Sequence, residues 1–385
     1  MDFELSEEQR AFVDAAAQFS KEMLAPHAAD WDRNHTFPVE VIRAAGEMGF
    51  CGLYCKPEHG GLGLPRLDAS LIFEQLAKGC TSTTAYLTIH NMASWMVSNW
   101  GTDTACDEWA AQLTSGQKLA SYCLTEPNAG SDAAALKTRA EKDGDHYLIS
   151  GSKVFISGAG DTDLLVVMAR TGEEGPKGIS AFMVPADADG ISYGRREPKM
   201  GWNSQATRSV TFDKVKVPAH YLLANEGEGF TLAMKGLDGG RINIATCSLG
   251  TAQQAIEDAT QYLTERKQFG KPLAQFQALQ FSLADMTTEL VAARQLVRLA
   301  ASKLDSKDSD ATTYAAMAKR FATDVGFKVV DDALQLFGGY GYINEYPLER
   351  YLRDLRVHRI LEGTNEIMRL IISRRALADG MAPLL

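Results

Sequence analysis

The chain has 385 residues, of which 45% are hydrophobic and 23% charged, with a formal net charge of −10. This balance excludes intrinsic disorder, and the acidic excess excludes a nucleic-acid partner, which needs a concentrated basic footprint. No run approaches about eighteen apolar residues, so no membrane insertion is expected.

In chain order, Asp2, Glu4, Glu7 and Glu8 stand where a signal or transit peptide would be basic. The chain is therefore expected to begin close to folded structure, in a bacterial cytoplasm or as a mature mitochondrial form. Ser6 and Gln9 fit a capping box, and Phe12, Ala16, Phe19 and Met23 follow at helical spacing. Residues 1–117 read as an N-terminal α-helical bundle punctuated by turns at 57–61 and 63–65. Residues 118–225 read as a middle β-domain. Ile179, Ala181 and Met183 alternate there, as do Val215 and Val217, and 164–168 is an apolar run of buried-strand length. Residues 226–385 return to long helices. Leu279, Leu283, Met286, Leu290, Ala293, Val297 and Ala300 form one stripe; Tyr314, Met317, Phe321, Val325, Val329, Ala333 and Leu336 form another. The six cysteines are scattered without a C-x-x-C pair and read as reduced thiols. The histidines show no zinc-ligand spacing, so no metal site is expected.

Four segments carry candidate chemistry. The first, 122–132, follows an expected strand and turns through Pro-Asn and Gly-Ser. Such a turn aims backbone N–H groups and hydroxyls at an anionic or carbonyl-bearing ligand, and reads equally as a surface loop. The second, 266–272, ends a long helical stretch. Arg266 suits phosphate, but a basic last turn favoured by the helix dipole, with Gly270 as the stop, is the plainer reading. The third, 335–342, places three glycines after an apolar helix, where a plain helix stop needs one. The fourth runs from Arg350, Arg353, Arg356 and Arg359, read as a solvated, ion-paired face, to Glu362, Gly363 and Thr364. Thr364 fits the N-cap of a helix through Met368 and Ile372. The dipole of that helix favours ionised Glu362 and burial opposes it, so a general base is possible there. On spacing alone, a surface or capping glutamate is the plainer reading.

Taken together, 122–132, 266–270, 335–341 and 361–364 resemble, in that order and at those separations, the acyl-CoA dehydrogenase family over essentially the whole chain. Stretches at 79–86, 89–92, 239–245 and 356–358 are closest to the branch of that family that oxidises isobutyryl-CoA, with dehydrogenases of butyryl-CoA or 2-methyl-branched acyl-CoA as the alternative. The resemblance implies an α+β fold: an N-terminal α-helical bundle, a middle β-barrel-like domain and a C-terminal four-helix bundle. It implies FAD as cofactor, an acyl-CoA substrate, an electron-transferring flavoprotein as electron acceptor and a homotetramer.

Carried over residue by residue, it implies that Tyr122, Cys123, Leu124, Thr125, Gly130 and Ser131 line the flavin, with Ser131 also touching the acyl-CoA. Phe155, Ile156 and Ser157 would stack on and hydrogen-bond the flavin. Many family members have Trp and Thr at the outer two positions; Phe155 and Ser157 match the isobutyryl type. Arg266, Phe269, Phe276 and Gln277 would hold the FAD of a neighbouring subunit, approached also by Gln335, Leu336, Phe337, Gly338 and Gly339. Thr364, Asn365 and Glu366 would close over the cofactor. Asp238, Gly239, Gly240 and Arg241, with Arg374, would meet the CoA portion. Glu362 would be the catalytic base, reversing the plainer reading of that residue. Some relatives carry the base at the position matching Gly240, which has no side chain to offer.

Overall fold

Ser6 accepts the Gln9 amide at 3.1 Å and the Gln9 side chain accepts the Ser6 amide at 3.0 Å, so α1 (Glu7–Phe19) starts at the expected capping box. The computed structural model describes residues 4–379. Ala16 and Phe19 are buried, and a single π-turn (Ser20–Leu24) carries the helix on. Then come α2 (Ala28–Asn34), α3 (Val39–Glu47), α4 (Arg66–Gly79), α5 (Thr81–Trp100) and α6 (Asp103–Thr114). Their shared core includes Phe19, Leu24, Ile42, Phe73 and Leu76.

Eight strands follow: β1 (Ala120–Cys123), β2 (Arg139–Asp143), β3 (His146–Ser157), β4 (Leu164–Arg170), β5 (Ile179–Pro185), β6 (Ile191–Tyr193), β7 (Thr207–Pro218) and β8 (Leu222–Leu223). They make one mixed sheet in the order β6-β7-β3-β2-β4-β5-β8, with β1 parallel to β4. Every residue of β4 is buried, as the apolar run predicts. β5 is also buried from Ile179 to Val184, so its alternation does not mark a solvent face. β7 does keep one: Val215 and Val217 point inward while Lys216 is exposed. The sheet core takes Met96 and Val97 of α5, Leu113 of α6, and Leu232 and Ala233 of the helix that follows.

That helix, α7 (Gly229–Glu265), is 37 residues long and is followed by a short hairpin of β9 (Lys267–Gln268) and β10 (Lys271–Pro272). Then come α8 (Gln277–Asp305), α9 (Ala311–Phe337), α10 (Leu348–Arg356) and α11 (Asn365–Asp379). Met286, Leu290, Ala293, Val297 and Ala300 of α8 are buried as expected. On α9, Val325, Val329, Ala333 and Leu336 are buried as expected, but in the first half of the helix the buried face is rotated. Ala315, Ala318 and Ala322 form it, while Tyr314, Met317 and Phe321 flank it half-buried. Small residues let α9 approach α7 closely, which size-weighted pattern reading misses.

Two further expectations are corrected. Gly270 is not the stop of α7, which ends at Glu265; Gly270 and Phe269 instead form the left-handed turn of the β9–β10 hairpin, at φ +78° and +51°. The four arginines carry the expected ion pairs and Arg356 is exposed, but they are not one solvated face. Arg350 is buried, Arg353 pairs with Asp32 and Glu349 at 2.6 Å each, and Arg359 pairs with Asp324 at 2.9 Å.

Candidate active site

Glu362 sits in a tight turn between the 3-10 turn Val357–Arg359 and α11. Both residues of the turn are left-handed, Glu362 at φ +56° and Gly363 at φ +86°. Glycine tolerates this; glutamate pays roughly 1–2 kcal/mol, so the surroundings must hold it. They do so from two helices. Arg241 of α7 donates from Nε to the Glu362 carbonyl at 3.3 Å, and Lys319 of α9 donates to the Gly363 carbonyl at 2.8 Å. Thr364 then caps α11, its hydroxyl accepting the Ile367 amide at 3.3 Å.

The carboxylate lies directly over Gly240. A Cβ built there would fall 2.5 Å from Glu362 Oε2 and 3.2 Å from Oε1. Oε2 is buried with no hydrogen-bond partner. Burial pushes the Glu362 pKa up to about 7, against the lowering effect of Arg241 and Lys319. Tyr122 of β1 faces the same carboxylate; its buried hydroxyl also has no partner, and burial followed by the Glu362 charge raises its pKa. An acid titrating near neutrality, with an unpartnered oxygen in a buried site, is suited to accept a proton.

The loop after β1 is anchored from inside. Lys153 of β3 is fully buried and donates to Glu126 at 2.8 Å and to the Leu124 carbonyl at 3.0 Å. Glu126 also accepts the amides of Lys137 and Thr138. The Val154 amide reaches the Thr125 carbonyl at 2.9 Å. Here the β3–β7 register slips: Lys153 faces Val210 and Ile156 faces Arg208, leaving one extra residue on β3. Phe155 takes the left-handed conformation at φ +59° and is turned outward, 71% exposed. A β-bulge that re-aims one aromatic ring beside a loop with open backbone (Gly130 has nothing within 4 Å of a built Cβ) fits a flat ring system. The Ser121 hydroxyl donates to the Ser157 carbonyl at 2.7 Å and ties the bulge to β1.

A second group gathers at the far end of α7. Arg266 lies over the Tyr340 ring at 5.4 Å, Phe276 meets Phe269 edge-on at 6.1 Å, and Phe337 stacks on Tyr262 at 4.2 Å. Phe269 is 92% exposed, and Gly338 and Gly339 stand in open space. A cation, exposed aromatics and bare backbone suit an anionic, ring-bearing ligand. Gly240 and Arg266 bound a continuous helix, and at about 1.5 Å per residue they stand roughly 39 Å apart along its axis.

Among the other expected residues, Cys123, Leu124, Ile156, Leu336 and Phe337 are buried, so they offer backbone rather than side chain to a ligand. Thr125 and Ser157 are half-buried; Ser131, Gln277, Gln335, Glu366 and Arg374 are exposed. Asp238 and Arg241 form a buried ion pair at 2.7 Å, and Thr312 donates to Asp238 at 2.6 Å. Asn365 is buried and turned to α9, where it donates to Thr323 and Asp324 at 3.0 Å each.

Sequence reasoning missed Lys319, Arg66 and the Lys153–Glu126 pair. Only Lys319 left a signal: it follows Ala318 in the small-residue stripe. Arg66 is buried, with its guanidinium 3.5 Å over the Tyr54 ring and 4.8 Å over Trp95, and it fills the space beside Gly239. Among the described residues no group of His, Cys, Asp and Glu is placed to hold a metal, and no helix is long and apolar enough to cross a membrane.

Three family models match the chain: acyl-CoA dehydrogenase N-terminal domain over residues 6–117, middle domain over 121–215 and C-terminal domain over 227–377. The chain is 53% identical over 376 residues to a mitochondrial isobutyryl-CoA dehydrogenase of Dictyostelium discoideum, covering 97% of this chain and 90% of that one. It is 51% identical over 375 residues to the mitochondrial isobutyryl-CoA dehydrogenase of Bos taurus, at the same coverage. The solved butyryl-CoA dehydrogenase of Megasphaera elsdenii superposes with a TM-score of 0.94 at 39% identity, covering 98% of this chain and all of that one.

Proposed function

The chain belongs to the acyl-CoA dehydrogenase family and is an FAD-dependent oxidoreductase; on that premise we propose that it converts isobutyryl-CoA to methacrylyl-CoA, with Glu362 as the base. The observation that carries the base is the half-buried Glu362, its carboxylate over Gly240 with one oxygen buried and unpartnered. The similarity to two isobutyryl-CoA dehydrogenases at 51–53% identity supports the substrate.

The thioester α C–H is weakly acidic, so its carbonyl must be polarised while a base is presented. The Glu362 backbone N–H, in its left-handed turn, donates to the thioester oxygen and stabilises the developing enolate. The Glu362 carboxylate takes the α proton, and the Cα–Cβ double bond forms as the β hydrogen leaves with its electron pair. FAD, when bound, supplies the hydride acceptor for that step. When FAD is bound, Phe155 on its bulge would stack on the ring system, Ser157 and Thr125 would hydrogen-bond its edge, and Ser131 would touch ring and acyl-CoA. Asp238, Gly239, Gly240 and Arg241 border the CoA portion on α7, and Arg374 reaches it from α11.

The roughly 39 Å between Gly240 and Arg266 favours a cofactor shared between two copies of the chain. Arg266, Phe269, Phe276, Gln277 and 335–339 of one copy then hold the pyrophosphate and adenosine end of FAD against another, within a homotetramer. By analogy with the family, electrons pass on to an electron-transferring flavoprotein. The pathway is valine breakdown, in the bacterial cytoplasm or the mitochondrial matrix.

The structural match to a butyryl-CoA dehydrogenase keeps a short straight-chain or 2-methyl-branched substrate as the second reading. Anaerobic titration with isobutyryl-, butyryl- and 2-methylbutyryl-CoA, following flavin absorbance, decides between them. Preferential bleaching by isobutyryl-CoA is expected. Preferential bleaching by either of the others moves the substrate and leaves Glu362 in place.

A further inference from the structure

Lys319 has no part in the reaction described above, yet it is among the largest fully buried side chains of the molecule. Its ammonium has no carboxylate within salt-bridge distance among the described residues. It donates to the Gly363 carbonyl at 2.8 Å and to Asn365 Oδ1 at 2.9 Å. Burial pushes its pKa down to about 7. An alkyl side chain of the same size would fill this space without that penalty. Both partners belong to the segment that carries Glu362. Asn365 is itself fixed by Thr323 and Asp324 on α9. The turn is thus pinned at each of its carbonyls by a cation from a different helix, Glu362 by Arg241 and Gly363 by Lys319.

We propose that Lys319 is the positioning residue of the catalytic base: its hydrogen bonds to the Gly363 carbonyl and Asn365 hold the left-handed Glu362–Gly363 turn so that the carboxylate lies over Gly240, and at the pH where it keeps its proton its charge favours the ionised carboxylate. The charged and titratable groups facing Glu362 are Arg241 from α7, Lys319 from α9 and Tyr122 from β1. Those facing Lys319 are Glu362, Arg241, Asp324 and Glu366. His358, on the 3-10 turn before the base, is held neutral by burial and then by the Lys319 charge, its pKa pushed down to about 3. Of the groups facing Glu362, only Arg241 and Lys319 oppose the effect of burial on it, so loss of Lys319 leaves one.

The inference rests on Glu362 being the base, and the test separates the two. Flavin reduction by isobutyryl-CoA is followed anaerobically by rapid mixing across pH 5.5–9.5, in FAD-loaded wild type and the variants Lys319→Met, Lys319→Gln and Glu362→Gln. Lys319→Met removes charge and hydrogen bonds. Lys319→Gln removes the charge but keeps a donor for the Gly363 carbonyl, and it carries the test should the Met variant not fold. In both, the pH of half-maximal rate is expected to rise, by up to about one unit, because Lys319 is partly charged where Glu362 titrates. The high-pH rate should fall tenfold or more in Lys319→Met and less in Lys319→Gln. A residue that only fills the core moves stability and leaves the pH midpoint at its wild-type value, and that result overturns the proposal. If Glu362→Gln is inert while the Lys319 variants keep the wild-type midpoint, only the role of Lys319 falls. If Glu362→Gln reduces its flavin at wild-type rate, the base assignment falls and the role of Lys319 with it.

Discussion

The Glu362 carboxylate occupies the place where a side chain on Gly240 would begin, Oε2 standing 2.5 Å from a Cβ built at that position. Two residues 122 positions apart thus define one site, the absence of a side chain on α7 making room for a carboxylate carried by the turn before α11.

Gly240→Ala is the smallest change that tests this fit. Real Cβ contacts at such a distance essentially do not occur, so the carboxylate must shift. A displacement of about 1 Å at a reacting group costs on the order of 100-fold. The rate of flavin reduction should fall by about that factor while FAD content and circular dichroism stay at wild-type values. An unchanged rate would place the working carboxylate elsewhere.

The pH dependence follows from the raised Glu362 pKa. A base must be ionised to accept a proton, so the reduction rate should rise with pH through about 7 and then level. The effect on stability has the opposite sign. The folded state holds its proton more tightly than the unfolded chain, so this group's contribution falls as pH rises from about 4.5 to about 7. Glu362→Gln should therefore melt higher than wild type above pH 7, by at most about 3 kcal/mol, and equally below pH 4.5. A melting difference that does not depend on pH would contradict the buried, ionisable carboxylate.

The buried Lys153–Glu126 pair holds the loop that carries Thr125 and the strand that carries Phe155. Removing one partner of a buried pair costs about 3–5 kcal/mol, because the other charge is left unpaired. Lys153→Met should weaken FAD binding by tenfold or more, read as flavin released on dilution. The double variant Lys153→Met/Glu126→Gln should recover part of that loss. Wild-type FAD retention in the single variant would leave the pair without a role in shaping the loop.

Much of this architecture was legible in local spacing. The capping box at Ser6, the buried strand β4 and the Thr364 cap each depend on residues within one turn or one strand. The base was not legible in that way. Nothing around Glu362 in sequence announces that Gly240 leaves it room; the helix start beside it made a general base possible, and only the resemblance to a family raised that above a capping glutamate. Lys319 was hidden for a related reason, since its stripe is built from alanines rather than large side chains. The outward turn of Phe155 depends on a register slip against β7, a property of pairing between distant strands.

The exposed group at the end of α7 predicts assembly. A ring as exposed as that of Phe269 contributes little to a lone chain, so Phe269→Ala should leave the chain's own fold intact. Where a second copy and its FAD cover the ring, the same change should loosen both. Sedimentation velocity is expected to show a tetramer for FAD-loaded wild type, and a shift to smaller species with FAD loss for Phe269→Ala. A wild-type monomer that retains FAD would contradict the shared cofactor site.

The most direct measurement is anaerobic rapid mixing of FAD-loaded Glu362→Gln with isobutyryl-CoA at pH 8, beside wild type. A positioned base typically contributes 10²–10⁴-fold, and here proton removal is obligatory. The variant should bind the thioester, seen as a perturbed flavin spectrum, yet bleach at least 100-fold more slowly than wild type. Bleaching at near wild-type rate would contradict the assignment of Glu362 as the base.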